Sequence, residues 1–460
     1  MKYLILLVTL FFIYHQSTAQ VCFGPASGYA AGINSVGLTF ADFNGDTITD
    51  LAVINFSGSN VSILSGNGTG SFMTDSDFSV GVIPGSICSA DFNRDGHADF
   101  ATTNAGPGNV SVYLGDGTGG FVAATGFSTG IYNPSSICSA DFNGDTIPDL
   151  AITSGFNYVL LYLGNSSGGF GTPAHVTVAN STHSVISADF NHDGKDDLAV
   201  TTHTGTDNVS ILLGNGNGTF GLATDFAVGT SPASITSGDF NRDGKIDIAT
   251  ANSLNHITGN VSILHGNGTG GFAAATNFGI GDSTVPKGIC NADFNGDSIP
   301  DLAIATIVKN NSGNVTILTG DGSGGFGTAI NFAVDSFPNS VITADFNRDG
   351  KMDLALAASK SNIDTGYVSV LINCSITGFV PIADQHEQFR IYPNPAYGHF
   401  TISSSDKIDK IRIANVPGKT IYQQTLNEKT ISLELDKPGI YFIQLTSGDK
   451  ATSKKLIVLN

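Results

Sequence analysis

One acidic pattern, Asp-Phe-Asn-x-Asp-x-x-x-Asp, occurs seven times in this chain of 460 residues. Its starts lie 48 to 54 residues apart, from Asp42 to Asp345. Seven matches at nearly constant spacing indicate tandem copies of one supersecondary unit, each packed on its neighbours. The fold must therefore accommodate seven similar units of about 50 residues.

Each unit carries four short strand-like segments. In the second unit these are residues 86–91, 99–103, 109–114 and 121–127, and a Gly-rich turn separates the last two. Short strands bounded by Gly, Asn and Asp turns, without helical periodicity, indicate an all-β array. Four strands in a repeat of this length are typical of a propeller blade. We therefore predict a seven-bladed β-propeller over residues 20–380.

The two ends of the array complement each other. The seventh unit lacks an outer strand, and the segment from Cys22 to Ala26 resembles the outer-strand segment from Gly325 to Ala329. We therefore expect the N-terminal segment to complete the seventh blade. On the repeat alignment this closure brings Cys22 and Cys374 to the two sides of one hairpin turn, within reach of a disulfide that an oxidising compartment would preserve. The alternative is two unpaired cysteines at the ends of the array.

The remaining cysteines, Cys88, Cys138 and Cys290, occupy the same innermost-strand position in three units. Equivalent positions on separate blades point in similar directions and seldom meet. We expect three buried free thiols.

Both ends of the chain lie outside the repeats. Residues 1–19 have an early lysine, an apolar run and small residues before Gln20, which predicts a signal peptide. Residues 381–388 form a polar linker. Residues 389–460 hold alternating segments at 389–392, 399–403, 410–415, 420–425, 430–435, 440–445 and 454–459, which predict a small seven-stranded immunoglobulin-like β-sandwich.

Each acidic loop presents oxygen ligands at positions 1, 3, 5 and 9. Hard oxygen donors at this short spacing suit Ca²⁺, whereas zinc and copper favour His or Cys. We predict up to seven structural Ca²⁺ ions; the alternative is seven solvated turns, which Asp and Asn also favour. The predicted side-chain ligands are Asp42, Asn44, Asp46, Asp50; Asp91, Asn93, Asp95, Asp99; Asp141, Asn143, Asp145, Asp149; Asp189, Asn191, Asp193, Asp197; Asp239, Asn241, Asp243, Asp247; Asp293, Asn295, Asp297, Asp301; and Asp345, Asn347, Asp349, Asp353. A backbone carbonyl from each loop is expected to add one ligand, assigned to Ile48, Ala98, Ile147, Lys195, Ile246, Ile299 and Met352.

Position 6 of the loop divides the units into two groups. Four loops have glycine there, while the other three have Thr47, Thr146 or Ser298 and carry glycine at position 4 instead. Since a sharp turn at position 6 favours glycine, we expect the three substituted loops to bind Ca²⁺ more weakly.

Two family resemblances follow from these motifs. The acidic loop with its following Val-Ser-x-Leu-Leu-Gly-Asn-Gly-x-Gly-x-Phe segment resembles the FG-GAP/VCBS repeats of integrin-alpha-type propellers, over residues 22–379. The C-terminal part, with Ile391-Tyr392-Pro393-Asn394-Pro395-Ala396 and Gly439-Ile440-Tyr441-Phe442, resembles the type A sorting domain of the type IX secretion system. The second resemblance implies recognition by the secretion machinery and a location outside the cell or on its outer surface.

The function class follows mainly from what the sequence lacks. A net charge of −19 argues against nucleic-acid binding, no stretch predicts a transmembrane segment, and no catalytic constellation is found. We expect a monomeric, calcium-stabilised binding or adhesion propeller without enzymatic activity, whose ligand is a glycan, a protein or a surface. The alternative is a polysaccharide lyase or hydrolase that uses a propeller face or the central channel. Binding is expected on the face opposite the metal loops, where the longest connections contain His256, Lys287, Lys309 and Asn310.

Overall fold

The computed structural model describes residues 20–131, 133–153, 155–203, 207–254, 258–308, 312–334, 337–359, 366–375, 389–415, 419–435, 437–447 and 450–458. The predicted signal peptide and linker lie outside these residues. The described residues form 33 strands, with no helix among them, and hence none that could span a bilayer. The chain divides into two compact units, of which the larger is Val21–Phe294 with Ser298–Cys374 and the smaller contains Ser375–Asn460.

Seven antiparallel four-stranded sheets make up the described part of the larger unit. The first sheet contains β2 (Ser35–Ala41), β3 (Asp50–Asn55), β4 (Asn60–Gly66) and β5 (Phe72–Ser79); the second contains β6 (Pro84–Ala90), β7 (Asp99–Asn104), β8 (Asn109–Gly115) and β9 (Phe121–Ser128); the third contains β10 (Ile137–Ala140), β11 (Asp149–Ile152), β12 (Tyr158–Tyr162) and β13 (Ala174–Thr177). The fourth contains β14 (Ser181–Ala188), β15 (Asp197–His203), β16 (Asn208–Leu212) and β17 (Thr224–Ala227); the fifth contains β18 (Pro232–Gly238), β19 (Asp247–Leu254), β20 (Thr258–Leu264) and β21 (Thr276–Gly279). The sixth contains β22 (Thr284–Ala292), β23 (Asp301–Val308), β24 (Gly313–Leu318) and β25 (Ile330–Val334); the seventh contains β26 (Pro338–Ala344), β27 (Asp353–Ser359), β28 (Gly366–Leu371) and β1 (Ser27–Ala30).

The first strands of the sheets contact one another in sequence. Strand β2 contacts β6, β6 contacts β10, and the series continues through β14, β18, β22 and β26, which contacts β2 again. The second strand of each sheet is almost entirely buried, as expected for a strand covered by a neighbouring sheet on each face. This arrangement is compatible with a β-propeller.

The N-terminal segment completes the seventh sheet, as predicted. Strand β1 pairs antiparallel with β28, from Ser27 opposite Val370 to Ala30 opposite Tyr367. Beyond the ladder, Cys374 donates its backbone N–H to the carbonyl of Cys22 at 2.8 Å. A disulfide joins the same two residues, whose Cα atoms are 5.0 Å apart.

Phenylalanines pack each sheet against the next. The phenylalanine at position 2 of every acidic loop is fully or almost fully buried, and its ring contacts a phenylalanine from the outer part of the following sheet. The ring pairs, with centroid distances of 5.4 to 5.8 Å, are Phe43–Phe121, Phe92–Phe170, Phe142–Phe220, Phe190–Phe272, Phe240–Phe326, Phe294–Phe23 and Phe346–Phe72. Edge-on pairs of this kind contribute roughly 0.5–1.5 kcal/mol beyond area burial. Phe23 takes the outer-strand place in the seventh sheet, which is independent support for the closure.

The cysteines outside the disulfide are free thiols, as predicted, but they are partly rather than fully buried at the edge of the core clusters. Burial raises the pKa of Cys88 to about 12 and shifts the pKa values of Cys138 and Cys290 in the same direction. A thiol that stays protonated at neutral pH is a poor nucleophile. These side chains therefore act as small apolar groups of the core.

The described strands of the smaller unit form one sheet that nearly closes on itself. The strands are β29 (Phe389–Tyr397), β30 (His399–Asn415), β31 (Thr420–Glu434), β32 (Gly439–Ser447) and β33 (Lys450–Val458). Their order is β29-β33-β32-β30-β31, and β29 also pairs with β30 around a core that includes Phe400, Ile411, Ile443 and Leu456.

The prediction of seven strands in this unit is wrong. The segments 399–403 and 410–415 lie in the two halves of β30, and β31 contains 420–425 and all but the last residue of 430–435. The polar residues between the halves suggested turns, but the chain stays extended and only its register shifts, between Ser403 and Ile408. A β-bulge of this kind bends a strand without ending it.

Candidate functional site

All seven acidic loops share one hydrogen-bonded conformation. In the first loop, Asp42 accepts backbone N–H groups from Gly45, Asp46 and Thr47 at 2.8–3.1 Å. Asn44 accepts from Asp46 at 3.0 Å, and Asp46 accepts from Ile48 at 2.7 Å. The bonds from the N–H groups of positions 5 and 6 to the position-1 carboxylate recur in the second and seventh loops, where Asp91 and Asp345 are the acceptors. Acceptor side chains thus replace the backbone pairing that an isolated loop lacks.

The position-9 aspartates are placed differently, since they are fully buried at the start of the second strand. Asp50 accepts from the backbone N–H of Phe43 at 3.0 Å and from that of Gly66 at 2.9 Å, so it links the acidic loop to the start of the Gly-rich turn. Burial raises the pKa of the equivalent carboxyls to about 6, against two opposing backbone hydrogen bonds. This holds for Asp50, Asp99, Asp149, Asp197 and Asp353.

Positions 4 and 6 both have positive φ in every loop. In the first loop Gly45 has φ 75° and Thr47 has φ 67°; in the second Arg94 has φ 63° and Gly96 has φ 87°. Each loop therefore combines one glycine with one residue that has a Cβ, at a cost of about 1 kcal/mol. The backbone gives no reason for weaker cation binding in the loops with Thr47, Thr146 and Ser298.

Three of the assigned carbonyl ligands require correction. Position 7 of the second, fifth and seventh loops is His97, Lys245 and Lys351, whose N–H groups make the same bond that Ile48 makes. Ala98, Ile246 and Met352 stand at position 8. The carbonyls of Ala98 and Ile246 lie against the glycine that opens the following Gly-rich turn, and that of Met352 accepts from Asn373 at 3.0 Å. These three carbonyls face neighbouring chain segments instead of the loop interior.

Arginines connect neighbouring loops. Arg94, Arg242 and Arg348, each at position 4, donate to position 6 of the following loop. The acceptors are Thr146, the Ser298 carbonyl at 2.7 Å, and Thr47, whose hydroxyl lies 3.0 Å from Arg348. A loop with Thr or Ser at position 6 thus follows a loop with Arg at position 4, and the Arg348 contact joins the last sheet to the first.

Lysines at position 7 supply a local cation in three loops. Lys195, Lys245 and Lys351 pair with the position-5 carboxylate of their own loop at 3.1–3.5 Å. These exposed pairs contribute little to stability, because solvent screens them. They do show that the loop carboxylates can accept a positive charge.

The oxygen donors of each acidic loop are of the type that a hard divalent cation prefers, but in the described loops their side chains do not converge on one point. Each loop places three carboxylates and one amide within nine residues, and the carboxylate at position 9 is buried. In the fifth loop His265 lies 3.1 Å from the Asp247 carboxylate. Among the described residues, no three Asp, Glu, His or Cys side chains converge as metal ligands would. Binding would require the side chains at positions 1, 5 and 9 to turn toward one point.

The Gly-rich turns lie beside these loops. Gly119 of the second sheet donates its N–H to the carbonyl of Phe43 in the first loop at 3.1 Å, and Gly70 donates to Phe346 at 3.1 Å. Loops and turns therefore share one face of the larger unit. The first strands begin at the opposite face, where Lys287 of β22 lies.

A cavity of about 270 Å³ opens on that opposite face, where the first strands begin. All seven sheets contribute to its wall, which is rich in serine and also contains His183, Lys287 and Asn339. A second cavity of about 150 Å³ shares His183 and Lys287 and adds His203 and Ser253. We call the larger cavity the channel mouth.

Of the four residues predicted to bind a ligand, only Lys287 lies among the described residues. His256, Lys309 and Asn310 lie outside them. His183 and His203 were missed by the sequence reasoning, yet their ring centroids are 5.4 Å apart beside Lys287. The repeat position of His183 would have indicated it, because the aligned residue differs from sheet to sheet.

Comparison with protein families identifies the repeats of the larger unit. The FG-GAP-like repeat family matches residues 42–102, 95–152, 143–200, 189–250, 239–304 and 293–356. The chain belongs to the FG-GAP repeat family. These six matches cover more than half of the chain and include every predicted acidic loop.

The C-terminal unit of this FG-GAP repeat protein matches a secretion system C-terminal sorting domain over residues 390–459. This is the type IX sorting domain that the sequence motifs predicted. The protein is therefore exported by type IX secretion to the cell surface or the extracellular space.

Other relatives are more distant. The FG-GAP repeat protein is 28% identical over 158 residues to "Ulvan lyase NLR42" from Nonlabens ulvanivorans, a match that covers 33% of this chain. The chain spans about a quarter of the length of this curated relative. Among solved structures, BBS1N in complex with ARL6DN, soaked with lead or with mercury, gives a TM-score of 0.52 at 11% identity, covering 79% of this chain and 98% of that one. That likeness concerns the fold alone.

Removal of residues 389–460 should prevent export. The truncated FG-GAP repeat protein is expected to accumulate inside the producing cell, because the sorting domain is the part that the secretion system reads. Immunoblotting of cell and medium fractions measures this, with a single Lys407→Ala change in the sorting domain as the control. Normal surface or medium levels of the truncated protein would contradict the assignment.

Proposed function

We propose that the seven sheets are the blades of one closed seven-bladed propeller stabilised by up to seven Ca²⁺ ions. The support is the ring of first-strand contacts that returns from β26 to β2, together with the recurring donor set of the acidic loops. In this proposal Ca²⁺ places positive charge beside the buried position-9 carboxylates and joins them to positions 1, 3 and 5. Carboxylate and amide oxygens are the ligands that Ca²⁺ prefers.

We further propose that the protein is a secreted or surface-bound binding propeller. The observation that carries this is the channel mouth, a concave site on the face opposite the acidic loops to which every sheet contributes. Its wall combines serine hydroxyls, one ammonium and one imidazole with apolar side chains such as Leu38 and Ile87. Concave sites with a few convergent polar groups are the usual form of small-ligand sites, and hydroxyl-rich walls suit a glycan.

A polysaccharide lyase is the second candidate. The second cavity, beside the channel mouth, brings together His183, His203 and Lys287, which sequence reasoning had not assembled, and the curated relative carries the name of a lyase. A neutral imidazole beside an ammonium can serve as a general base next to a stabilised anion. Binding is preferred because no carboxylic acid accompanies these residues among the described residues that line the two cavities.

A paired assay separates the two candidates. The full-length secreted protein is applied to a glycan array, and in parallel it is incubated with polysaccharides while reducing ends and ultraviolet-absorbing unsaturated products are measured. We expect selective retention of one glycan class and no product.

Depolymerisation that disappears in a His183→Ala variant would favour the lyase instead. Absence of both retention and product would overturn the glycan-binding proposal, and a protein-ligand screen would then be the next experiment.

A further inference from the structure

The residue six positions before the first aspartate of each acidic loop differs from unit to unit, although the residue that follows it is always serine or glycine. It lies at the start of the first strand of each sheet and holds Val36, Gly85, Ser135, His183, Ala233, Lys287 and Asn339. The following position is always serine or glycine: Gly37, Ser86, Ser136, Ser184, Ser234, Gly288 and Ser340. Both sets line the channel mouth. The second set gives every sheet a small residue, serine or glycine, at the wall. The chemical character of the channel mouth therefore depends on the variable set.

β-Bulges place this position at the wall. The register of β22 shifts between Pro286 and Gly288, which leaves Lys287 as the extra residue, and that of β14 shifts between Thr182 and Val185 around His183. Equivalent shifts occur in four other first strands. Bulges commonly redirect a side chain beside a functional site.

The charge at the mouth is opposite to that of the protein. The chain carries a net charge of −19, yet none of the described residues that line the two cavities is acidic. Lys287 takes part in none of the ion pairs of the described residues. An ammonium without a carboxylate partner, in a wall without acids, suits an anionic group of a ligand.

His183 adds an unused acceptor. Its Nδ1 atom is buried and has no hydrogen-bond partner. Burial lowers the pKa of His183, and the neighbouring His203 and Lys287 lower it further, while a backbone hydrogen bond with Ala233 opposes them. The imidazole is therefore neutral at pH 7, and a buried nitrogen lone pair without a donor costs free energy until a ligand hydroxyl supplies one.

The serines complete the donor set. Ser86 and Ser136 each accept a backbone N–H of the next sheet at 3.3 Å, from Ile137 and Val185. A hydroxyl that accepts in this way still has its own hydrogen to donate. The mouth thus offers a cation, hydroxyl donors and an imidazole acceptor within a volume near the lower end of the roughly 300–1,000 Å³ range of ligand sites.

We propose that the channel mouth binds one residue of an anionic sugar. Its carboxylate or sulfate group pairs with the Lys287 ammonium, one ring hydroxyl donates to Nδ1 of His183, and the serine hydroxyls contact the remaining oxygens. This inference rests on the proposed glycan-binding function and specifies its ligand class. A simple inorganic anion would leave the His183 acceptor unused, so a sugar that carries both an anion and hydroxyl groups is preferred.

The test uses the full-length protein and calorimetric titration. The probes are trigalacturonate, its methyl ester, which is the same sugar with the carboxylates capped, and a sulfated galactose trisaccharide. We expect at least one anionic probe to bind. If the carboxylate is the group recognised, the affinity for the ester should be at least about tenfold lower than that for trigalacturonate.

The Lys287→Gln variant should lower the affinity for the anionic probe by a similar factor, and Lys287→Arg should retain most of it. The Lys407→Gln variant, which makes the same charge change in the sorting domain, should leave the affinity unchanged. His183→Leu should weaken the anionic sugar but leave any binding of inorganic sulfate unchanged.

Each result is decisive once thermal melting shows that the variants are folded. Equal affinity for trigalacturonate and its ester, with no binding of the sulfated probe, would overturn the inference. So would unchanged affinity in folded Lys287→Gln. Retention of neutral glycans only would overturn the inference and leave the proposed function standing, whereas no retention of any glycan would overturn both.

Discussion

Loss of the Cys22–Cys374 disulfide is expected to destabilise the propeller by on the order of 5 kcal/mol, since the bond closes a loop with a sequence separation of 352 residues. Without it, the closure depends on the four-residue ladder between β1 and β28 and on the packing of Phe23 against Phe294 and Phe332. A Cys22→Ser variant should unfold at lower denaturant concentration than the wild type. Its N-terminal segment should also become sensitive to proteases, which mass spectrometry of limited digests measures.

The matched control is the double variant Cys22→Ser/Cys374→Ser. Because both changes remove the same bond, the double variant should be no less stable than either single variant. Reduction of the wild type by dithiothreitol should produce the same unfolding midpoint. If reduction leaves that midpoint unchanged, the bond does not stabilise the closure in solution.

Removal of Ca²⁺ is expected to lower the melting temperature of the propeller by on the order of 10 °C. At a free concentration of about one hundred times Kd, each site that binds only the folded state contributes about 2.7 kcal/mol, and several sites act together. The sorting domain has no acidic loop and should melt at the same temperature with and without chelator. Differential scanning calorimetry of the full-length protein, with excess EDTA and after Ca²⁺ is restored, measures both transitions.

An aspartate substitution in the first acidic loop tests whether the effect of EDTA on the melting temperature depends on these loops. Asp42→Asn keeps the size and one acceptor oxygen of the first loop but removes a carboxylate, so the difference between melting temperatures with and without EDTA should become smaller. Asp282→Asn, at an exposed position outside the acidic loops, makes the same charge change and should leave the difference intact. Identical wild-type melting curves with and without EDTA would exclude a stabilising role for Ca²⁺.

The seven four-stranded sheets of the larger unit could be predicted well because one local sequence pattern specifies all of them. The acidic loops, the buried phenylalanines at position 2 and the strands beside them repeat seven times, so a single correct interpretation applies to all units. Even the closure was visible, because Cys22 and Phe23 repeat the start of an outer strand. The sorting domain offers no such repetition, and polar residues within a continuous bulged strand were read as turns.

The channel mouth was harder to predict for a different physical reason. His183 and Lys287 are 104 positions apart in the sequence and belong to different sheets, so only ring closure brings them near each other. Neither belongs to a motif, and each is an exception within its aligned position. In a repeat protein the chemistry of a shared axial site is therefore found by comparing what differs between the units, after the repeated residues have defined the fold.

The pairing of the N-terminal strand β1 with β28 in the seventh sheet also has a consequence for the order of synthesis and folding. At roughly 5–20 residues per second, the 352 positions between Cys22 and Cys374 take on the order of 20 to 70 seconds to synthesise. Until β28 is synthesised near the end of that interval, β1 has no partner, and the growing array presents an open edge that invites wrong pairing. The segment that completes the seventh sheet is thus made before the three strands of that sheet and takes its place only after them.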